Sequence, residues 1–507
     1  MFACFIDFEK AFDKITRNLL LQKLLKFGIH GNFLNLISSM YLNDQACLKL
    51  NNETTPYFHV TQGVKQGCVL SPTLFNIFLS DLPNLFNTLD MDAPLLNNTK
   101  LSSLFWADDI ILISTSLSGL QKAMNKLNIY SVENKLSINI KKTKFIVFNK
   151  SGKLIIKNTL FYNNQQIEQV RNFIYLGLKL SCCGSWTEAL RDLKARGLRA
   201  YISLRKLLGD MFHKDIILTL KLFDSLVSPI LLYGSDIWGC YKLNEKSPIE
   251  QLHSSFCKHI LQVNKNTPNI AVKAELGRSS LITKAQINCL KNWLRISHNV
   301  VNNIVFNAYK DSLNFNDTWT AKVKNILFLH GLGNIWSSHT STDFIPSKKI
   351  NIINSFQFII KQRLTDSNNQ TIISDLQNFP KMRTYIKFKK LNKLENYLIF
   401  TNDLNKRFSI SKLRLSSHKL KIETGRYENL PVEKRLCDHC QKIDDEFHFV
   451  MECSLYITER NVLFDYINKI DKQFQNLDSN YKFNIICMAS KNICEEVGVF
   501  ANLCTKA

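Results

Sequence analysis

The hydrophobic positions of this chain change period several times, and each change marks an element. "FACFIDF" (2–8) is almost continuously apolar and reads as a buried strand that ends on an acid. In "AFDKITRNLLLQKLLKFG" (11–28), Leu20, Leu24 and Phe27 share one helical face and Gly28 is placed to close it, so the spacing predicts a helix. A second helix is expected over "NFLNLISSMYL", a hairpin over 45–62 around "NNETT", and a third helix over "SPTLFNIFLSDL", where Pro72 falls at an early position that tolerates it. "LFW" (104–106) and "IILIS" (110–114) are strand-like on either side of "ADD". Helical spacing returns in "GLQKAMNKLNIYSVEN", "TKFIVFN" reads as a strand, and "NFIYLGLKL" as another. From about 186 the period is helical, through "WTEALRDLKARGLRAYISLRKLLG" and "DIILTLKLFDSLVSPILLYG". Residues 301–409 carry no readable motif.

Composition changes this picture in two ways. The 507 residues are 45% hydrophobic, with Gly and Pro at only 17 and 10, so a packed core is expected and collagen-like or linker-rich organisation is excluded. Lys and Arg outnumber Asp and Glu by 65 to 42, a net +23. That surplus suits a polyanion, whether nucleic acid or an acidic membrane surface, and is also compatible with a merely basic soluble protein. No apolar run is long enough for a membrane span, and the N-terminus meets an acid at Asp7 without a basic lead, so neither a transmembrane helix nor a signal peptide is expected. The 14 cysteines are scattered except for one cluster near 440, which points to an intracellular, reducing setting (nucleus, cytoplasm or both) with one metal site.

Asp108 and Asp109 interrupt an apolar run, where unpaired carboxylates are costly. A tight hairpin with Ala107, Asp108 and Asp109 at its tip resolves this: the apolar arms enter a sheet and the acids project from its end. If the strand ending at Asp7 is a neighbour, three carboxylates converge and require a compensating cation. A hard divalent ion such as Mg²⁺ suits oxygen ligands, and two of them suit phosphoryl transfer. Two adjacent acids at a turn are ordinary on their own, as is Asp7, so their company decides.

That company resembles the reverse transcriptases of non-LTR (LINE-like) retrotransposons. "FIDFEKAFDKI", "GVKQGCVLSPTLFNIFLSDL", "FWADDIILIS", "LSINIKKTKFIVF" and "FIYLGLKLS" are similar to that family's successive palm motifs and primer grip, in the family's order within 1–181. The resemblance implies an α+β fold: a polymerase palm of antiparallel sheet with helices on one face, followed by a mostly helical thumb and C-terminal region. It implies RNA-directed DNA synthesis, with RNA template, DNA primer and dNTPs as partners and two Mg²⁺ ions as cofactors. Asp7, Asp108 and Asp109 would be the catalytic, metal-binding acids. Phe8 would offer its backbone carbonyl to the metal, and Phe12 would crowd a ribose 2′-OH, although a packing role suits that ring equally well. Gln66 and Gly67 would line the nucleotide, Ser71 and Pro72 would be structural or near the template, and Lys142 or Lys144 would lie near the leaving pyrophosphate. Tyr175, Leu176 and Gly177 match the primer-grip turn. Trp106 departs from the usual Tyr or Phe, keeping an aromatic wall of greater bulk.

The implied domains are a palm over 1–181, a thumb and basic connection over 182–300 including "LVSPILLYGSDIWG", a poorly defined helical region over 301–409, and a zinc-binding region over 410–507. Arg191, Lys194, Arg196 and Arg199 could follow a duplex backbone or simply form a solvated helix face. The chain opens almost on the first palm strand, where the family's fingers would precede it. The expectation is therefore a truncated element with weak or no autonomous polymerase activity, and a catalytically inactive nucleic-acid-binding remnant is the alternative. Phe12 and "ADD" speak against an RNA-dependent RNA polymerase.

"CDHCQKIDDEFHFVMEC" spaces Cys437, Cys440, His448 and Cys453 as C-x2-C-x7-H-x4-C. Thiolates and imidazole at this spacing suit one tetrahedral Zn²⁺ in a closed, structural site, with His439 a less favourable nitrogen. The pattern also resembles the C-terminal cysteine/histidine motif of such retroelement proteins, which speaks against an intron maturase. It implies nucleic-acid contact aided by Arg426, Lys434 and Arg435.

Overall fold

The computed structural model describes residues 1–51, 53–153, 159–298, 302–338 and 349–506. They divide into two compact units, Met1–Glu188 with Asn303–Asp311, and Ala189–Asn302 with Ser312–Ala507.

The first unit is built on six strands: β1 (Phe2–Ile6), β2 (Ser103–Trp106), β3 (Asp109–Ser114), β4 (Lys144–Val147), β5 (Leu160–Tyr162) and β6 (Gln165–Gln169), in the order β5-β6-β4-β1-β3-β2. All neighbours are antiparallel except β4 and β6, which run parallel. The expected all-antiparallel sheet is thus a mixed one, because β4 reaches β6 through a crossover and not through a tight turn.

Side chains alternate across the sheet with period two. Cys4, Ile6, Ile110, Leu112, Phe145 and Val147 pack on the helical layer, while Ala3, Phe5, Ile111, Ile113 and Ile146 face the other way. The helical layer comprises α1 (Arg17–Lys26), α2 (Gly31–Leu42), α3 (Ser71–Phe78), α4 (Leu82–Asn87) and α5 (Leu117–Glu133). The opposite face is covered by a hairpin of β7 (Asn172–Tyr175) and β8 (Leu178–Ser181), where the sequence reading expected a single strand. Leu176 (φ 46°) and Gly177 (φ 76°) form its two-residue turn, the left-handed pair that matches strand twist.

The helix predicted from Ala11 begins only at Arg17. Lys10 has φ 51°, and the amides of Asp13 and Lys14 both donate to the Lys10 carbonyl, so 10–14 closes one isolated turn before Thr16 extends and starts α1. That turn becomes a docking platform for the 60–67 loop.

The second unit is helical, including α6 (Thr187–Leu208), α7 (Pro248–Leu261), α8 (Asn269–Glu275), α9 (Leu281–Ser297), α10 (Lys349–Leu376) and α11 (Leu404–Arg414). The stretch without a readable motif contains the 28-residue α10, whose Ile360, Leu364, Ile372 and Leu376 are buried. Buried charge clusters pin these helices. Glu275 receives Arg414 Nε at 2.6 Å and the hydroxyls of Tyr385 and Tyr397 at 2.8 and 2.7 Å. Glu250 and His253, both fully buried on α7, meet Lys273 and Arg278. No helix among the described residues is long and apolar enough to cross a membrane.

The Glu250 cluster carries a pH prediction. Burial opposes the charge on Glu250, but His253, Lys273 and Ser280 overcome it and hold the carboxyl well below its ordinary range. Burial, with the charges of Arg278 and Lys273, pushes His253 down from 6.5 to about 4 against the pull of Glu250. Arg278 Nε donates to His253 Nε2 at 2.8 Å, which requires an unprotonated nitrogen there. Both folded values lie below the unfolded ones, so the unfolded chain binds more protons and stability falls with pH: first between 6.5 and 4 through His253, then below the ordinary carboxylate range through Glu250. Denaturant titrations at pH 7 and pH 4.5 should show a loss of about 2 kcal/mol attributable to His253, flattened in His253→Gln. An unchanged slope in that variant would refute the assignment.

Candidate active site and metal centre

The acids meet because of strand register. Ile6 of β1 pairs with Ile110 of β3, and one step further along this antiparallel ladder Asp7 comes level with Asp109. Asp109 itself pairs with Trp106, so only Ala107 (φ 54°) and Asp108 remain at the hairpin tip, one residue fewer than the sequence suggested. By parity Asp7 and Asp109 belong to the sheet face covered by the β7–β8 hairpin, and Asp108 stands at the end of the turn. Burial raises the Asp109 carboxyl above its ordinary range, and the charges of Asp108 and Asp7 add to the shift.

Asp7 is held from three sides. Its amide donates to Thr143 Oγ1 at 3.3 Å, its carbonyl accepts from the Asn139 amide at 2.8 Å, and Lys142 Nζ lies 3.7 Å from Oδ2. Oδ2 is buried and has no hydrogen-bond partner. A buried orphan carboxylate oxygen beside two further acids, all hard donors, fits a divalent cation. Lys142 and Lys144 both line one cavity with Asp7 and Asp109, but Lys144 Nζ pairs with Glu168 Oε2 at 2.6 Å on the adjacent β6, so of the two candidate lysines it is Lys142 that is ion-paired with an acid of the site.

Phe8 is buried and bridges to Ile138. Phe12 stacks on Phe75 of α3, centroids 4.6 Å apart, so the packing role is real. Gln66 Nε2 donates to Asp13 Oδ1 at 2.9 Å, and Gly67 has φ 83° with nothing near a would-be Cβ. Tyr175 packs on Phe5, and its hydroxyl is raised by burial and by the charge of Asp109. It joins Asp7, Asp109 and Lys142 in lining a cavity of about 470 Å³ between sheet and hairpin. Trp106 is 65% exposed beside Asn76 and Ser80. Ser71 Oγ donates to the Lys65 carbonyl, a structural tie at the start of α3.

Sequence reasoning missed the residue that fixes the Gln66 loop. Arg17 donates from Nε to the Gly63 carbonyl at 3.0 Å, from Nη1 to the carbonyls of Tyr41 and Val60, and pairs with Asp44 at 2.6 Å. Gly63 (φ 85°) docks so closely that a Cβ would lie 2.8 Å from the Asp13 carbonyl oxygen. No local pattern distinguishes Arg17 from any helix-starting arginine.

In the second unit, the ligand atoms of Cys437, Cys440, His448 and Cys453 lie within 4.8 Å of one another. The Cys440–Cys453 and Cys437–Cys453 sulfurs are 3.7 and 4.0 Å apart. A tetrahedral zinc about 2.3 Å from each sulfur sets them about 3.8 Å apart. His448 is buried and neither ring nitrogen has a hydrogen-bond partner, with Glu452 Oε2 3.7 Å from Nδ1. The set therefore fits zinc, and His439 lies outside it, on the wall of an adjoining cavity. Gln441 (φ 53°) turns the chain so that the Cys437 amide reaches the Lys442 carbonyl at 2.7 Å, and the Ser454 amide donates to Cys440 Sγ at 3.4 Å. Arg435 is spent on the carbonyls of Leu430 and Ile422, and Arg426 pairs with Glu423, so both serve the fold. On α6, Lys194 reaches Gln251 and Arg196 pairs with Asp192, while Arg191 and Arg199 are exposed.

Residues 2–180 match the family described as reverse transcriptase (RNA-dependent DNA polymerase). A retrovirus-related Pol polyprotein from the type-1 retrotransposable element R2 of Popillia japonica is 27% identical over 225 residues, 41% of this chain and 37% of that protein. A probable RNA-directed DNA polymerase from transposon BS of Drosophila melanogaster is 26% identical over 261 residues, 50% of this chain and 28% of that protein. The RNA-directed DNA polymerase from mobile element jockey of Drosophila funebris is 23% identical over 264 residues, 51% and 28% respectively. The chain thus spans roughly a third of the length of these relatives. Residues 2–180 are a reverse transcriptase domain, in a chain whose relatives are polymerase proteins of non-LTR retrotransposable elements.

Proposed function

We propose that this chain is an RNA-directed DNA polymerase that extends a DNA primer on an RNA template, with Asp7, Asp108 and Asp109 holding two Mg²⁺ ions. The carrying observation is the register that sets Asp7 level with Asp109 while leaving Asp7 Oδ2 buried without a hydrogen bond. In the reaction the primer 3′-OH attacks the dNTP α-phosphate and pyrophosphate leaves. Bound Mg²⁺ supplies activation of the hydroxyl and charge neutralisation of the leaving oxygen. The chain's own residues position and select. Gly67 lets backbone approach the nucleotide, Gln66 is oriented by Asp13, and Phe12, fixed by Phe75, presents bulk against a 2′-OH. Lys142 places a cation where pyrophosphate charge develops. The Tyr175–Gly177 turn grips the primer, and helices of 182–300 serve as its thumb. The Cys437, Cys440, His448 and Cys453 set holds one structural Zn²⁺ and supports nucleic-acid contact at the C-terminal region.

Primer extension with Mg²⁺ on poly(rA)/oligo(dT) tests this. Expected is weak dTTP incorporation that EDTA abolishes. Tight template–primer binding without incorporation under Mg²⁺ or Mn²⁺ would instead assign a binding protein.

A further inference from the structure

In the second unit, far in sequence from the acids, a cavity of about 430 Å³ opens between the end of α6 and the end of α7. Its polar lining is wholly basic: Arg205 and Lys206 from α6, His213 from the segment after it, and His259 from α7; no carboxylate lines it. Neither the Arg205 nor the Lys206 side chain makes a hydrogen bond or ion pair among the described residues, so two cations line one opening uncompensated.

Tyr201 OH lies 2.7 Å from His259 Nδ1, which occupies that nitrogen and leaves Nε2 as the free one. The two rings meet edge to face, centroids 5.2 Å apart, and Gln262 Nε2 donates to His213 Nε2 at 3.3 Å. Burial pushes His259 down to about 4, with the charges of Arg205 and His213 adding to it, and burial also lowers His213.

Cations near helix C-termini are ordinarily explained by the dipole. Here those ends are already capped by the backbone. The Gly209 amide donates to the Arg205 carbonyl at 3.0 Å, the Val263 amide to that of Lys258 at 3.2 Å, and the Gln262 amide to that of His259 at 3.3 Å. The Arg205 and Lys206 side chains take no part in this capping.

We propose that this cavity is a phosphoryl-binding site, in which Arg205, Lys206 and His259 Nε2 receive the oxygens of one phosphate group. Ile202, 42% exposed on the same wall, offers an apolar surface for whatever carries that phosphate. The shared chemistry is a phosphate, supplied by a nucleic-acid backbone or as a free phosphate. The site lies within 182–300, the stretch read above as the thumb, and in that respect rests on that reading; it uses none of the residues proposed to hold metal or nucleotide, so its test can fail while primer extension succeeds, and the reverse.

Footprinting the full chain with diethyl pyrocarbonate at pH 7, followed by peptide mass mapping, reads the site directly, since neutral imidazoles react. Inorganic phosphate and a short single-stranded oligonucleotide are the two probes. Slower modification of His259 with either supports the site. Protection by the oligonucleotide alone assigns a nucleic-acid backbone, and protection by phosphate alone a small phosphate. No protection by either overturns the proposal. Arg205→Gln/Lys206→Gln should abolish the protection without shifting the melting temperature. If the oligonucleotide is the ligand, this pair should also weaken its binding about tenfold and flatten the log–log salt dependence by about 1.4. Lys469→Gln/Lys472→Gln removes the same charge from an exposed face elsewhere. An equal loss in that control would mean diffuse attraction to a basic chain and would also overturn the proposal. His259→Gln keeps the neutral size and should by itself remove most of the binding.

Discussion

Asp7→Asn or Asp108→Asn is expected to lower Mg²⁺-dependent nucleotide incorporation by about 10³-fold or more, because under the proposed function several kcal/mol of transition-state stabilisation depend on metals that those carboxylates would hold. Asparagine keeps size and one acceptor but loses the charge. The same substitutions should not harm the fold. Three acids share one sheet end, and Lys142, 70% exposed at 3.7 Å from Asp7, screens them only weakly. Removing one charge relieves repulsion, so metal-free Asp7→Asn should melt no lower than the parent chain. Mg²⁺ should then raise the melting temperature of the parent and leave that of the variant unmoved, since only the folded parent binds it. Thermal scans with and without Mg²⁺ therefore test the site independently of catalysis. Parent-like incorporation by Asp108→Asn would sink the assignment.

The second large effect concerns zinc. Cys453→Ser, or dialysis against a strong chelator, is expected to unfold the surroundings of the Cys437–Cys453 loop. Structural zinc contributes roughly 10–16 kcal/mol in isolated finger peptides, far above the stability of any small loop. Without the ion, three thiols and a buried imidazole lacking hydrogen-bond partners would be left facing one another. Arg460 would transmit the loss, since it donates to the carbonyls of Val450 and Cys453 and so ties the following helix, Ile457–Ile470, to the site. Metal analysis should find one zinc per chain in the parent and none in Cys453→Ser, with limited proteolysis newly cutting between about 430 and 460. Absence of zinc from the parent, with unchanged proteolysis after chelation, would show the cluster to be ordinary buried residues.

The apolar runs around Asp7 and around Asp108–Asp109 announced strands with acids at their ends, and the C-x2-C-x7-H-x4-C spacing announced a ligand set. Such signals are local: a strand's period, a turn's residue types and a loop's ligand spacing are written within ten or twenty residues. Other features were decided between segments. Lys142 and Lys144 look alike in sequence, and only the pairing of β4 with β6 commits Lys144 to Glu168. "NFIYLGLKL" has the apolar content of one strand, and its division into a hairpin follows from the left-handed pair Leu176–Gly177 and the sheet face it covers. Ala11–Thr16 carries a helical pattern, yet a turn wins there because the 60–67 loop docks on it through Gly63 and Val64.

By itself, then, the sequence determined the strands around Asp7 and Asp108–Asp109, the acids that end them, the spacing of Cys437, Cys440, His448 and Cys453 and the basic surplus, since each follows from residue type and short spacing. Tertiary structure alone decided that Asp7 lies level with Asp109 across a hundred residues, that Arg17 clamps a distant loop, that Glu275 meets Arg414, and that Arg205, Lys206 and His259 share one cavity. Register and the burial of charge depend on which segments pack together, and no short window of sequence contains both partners.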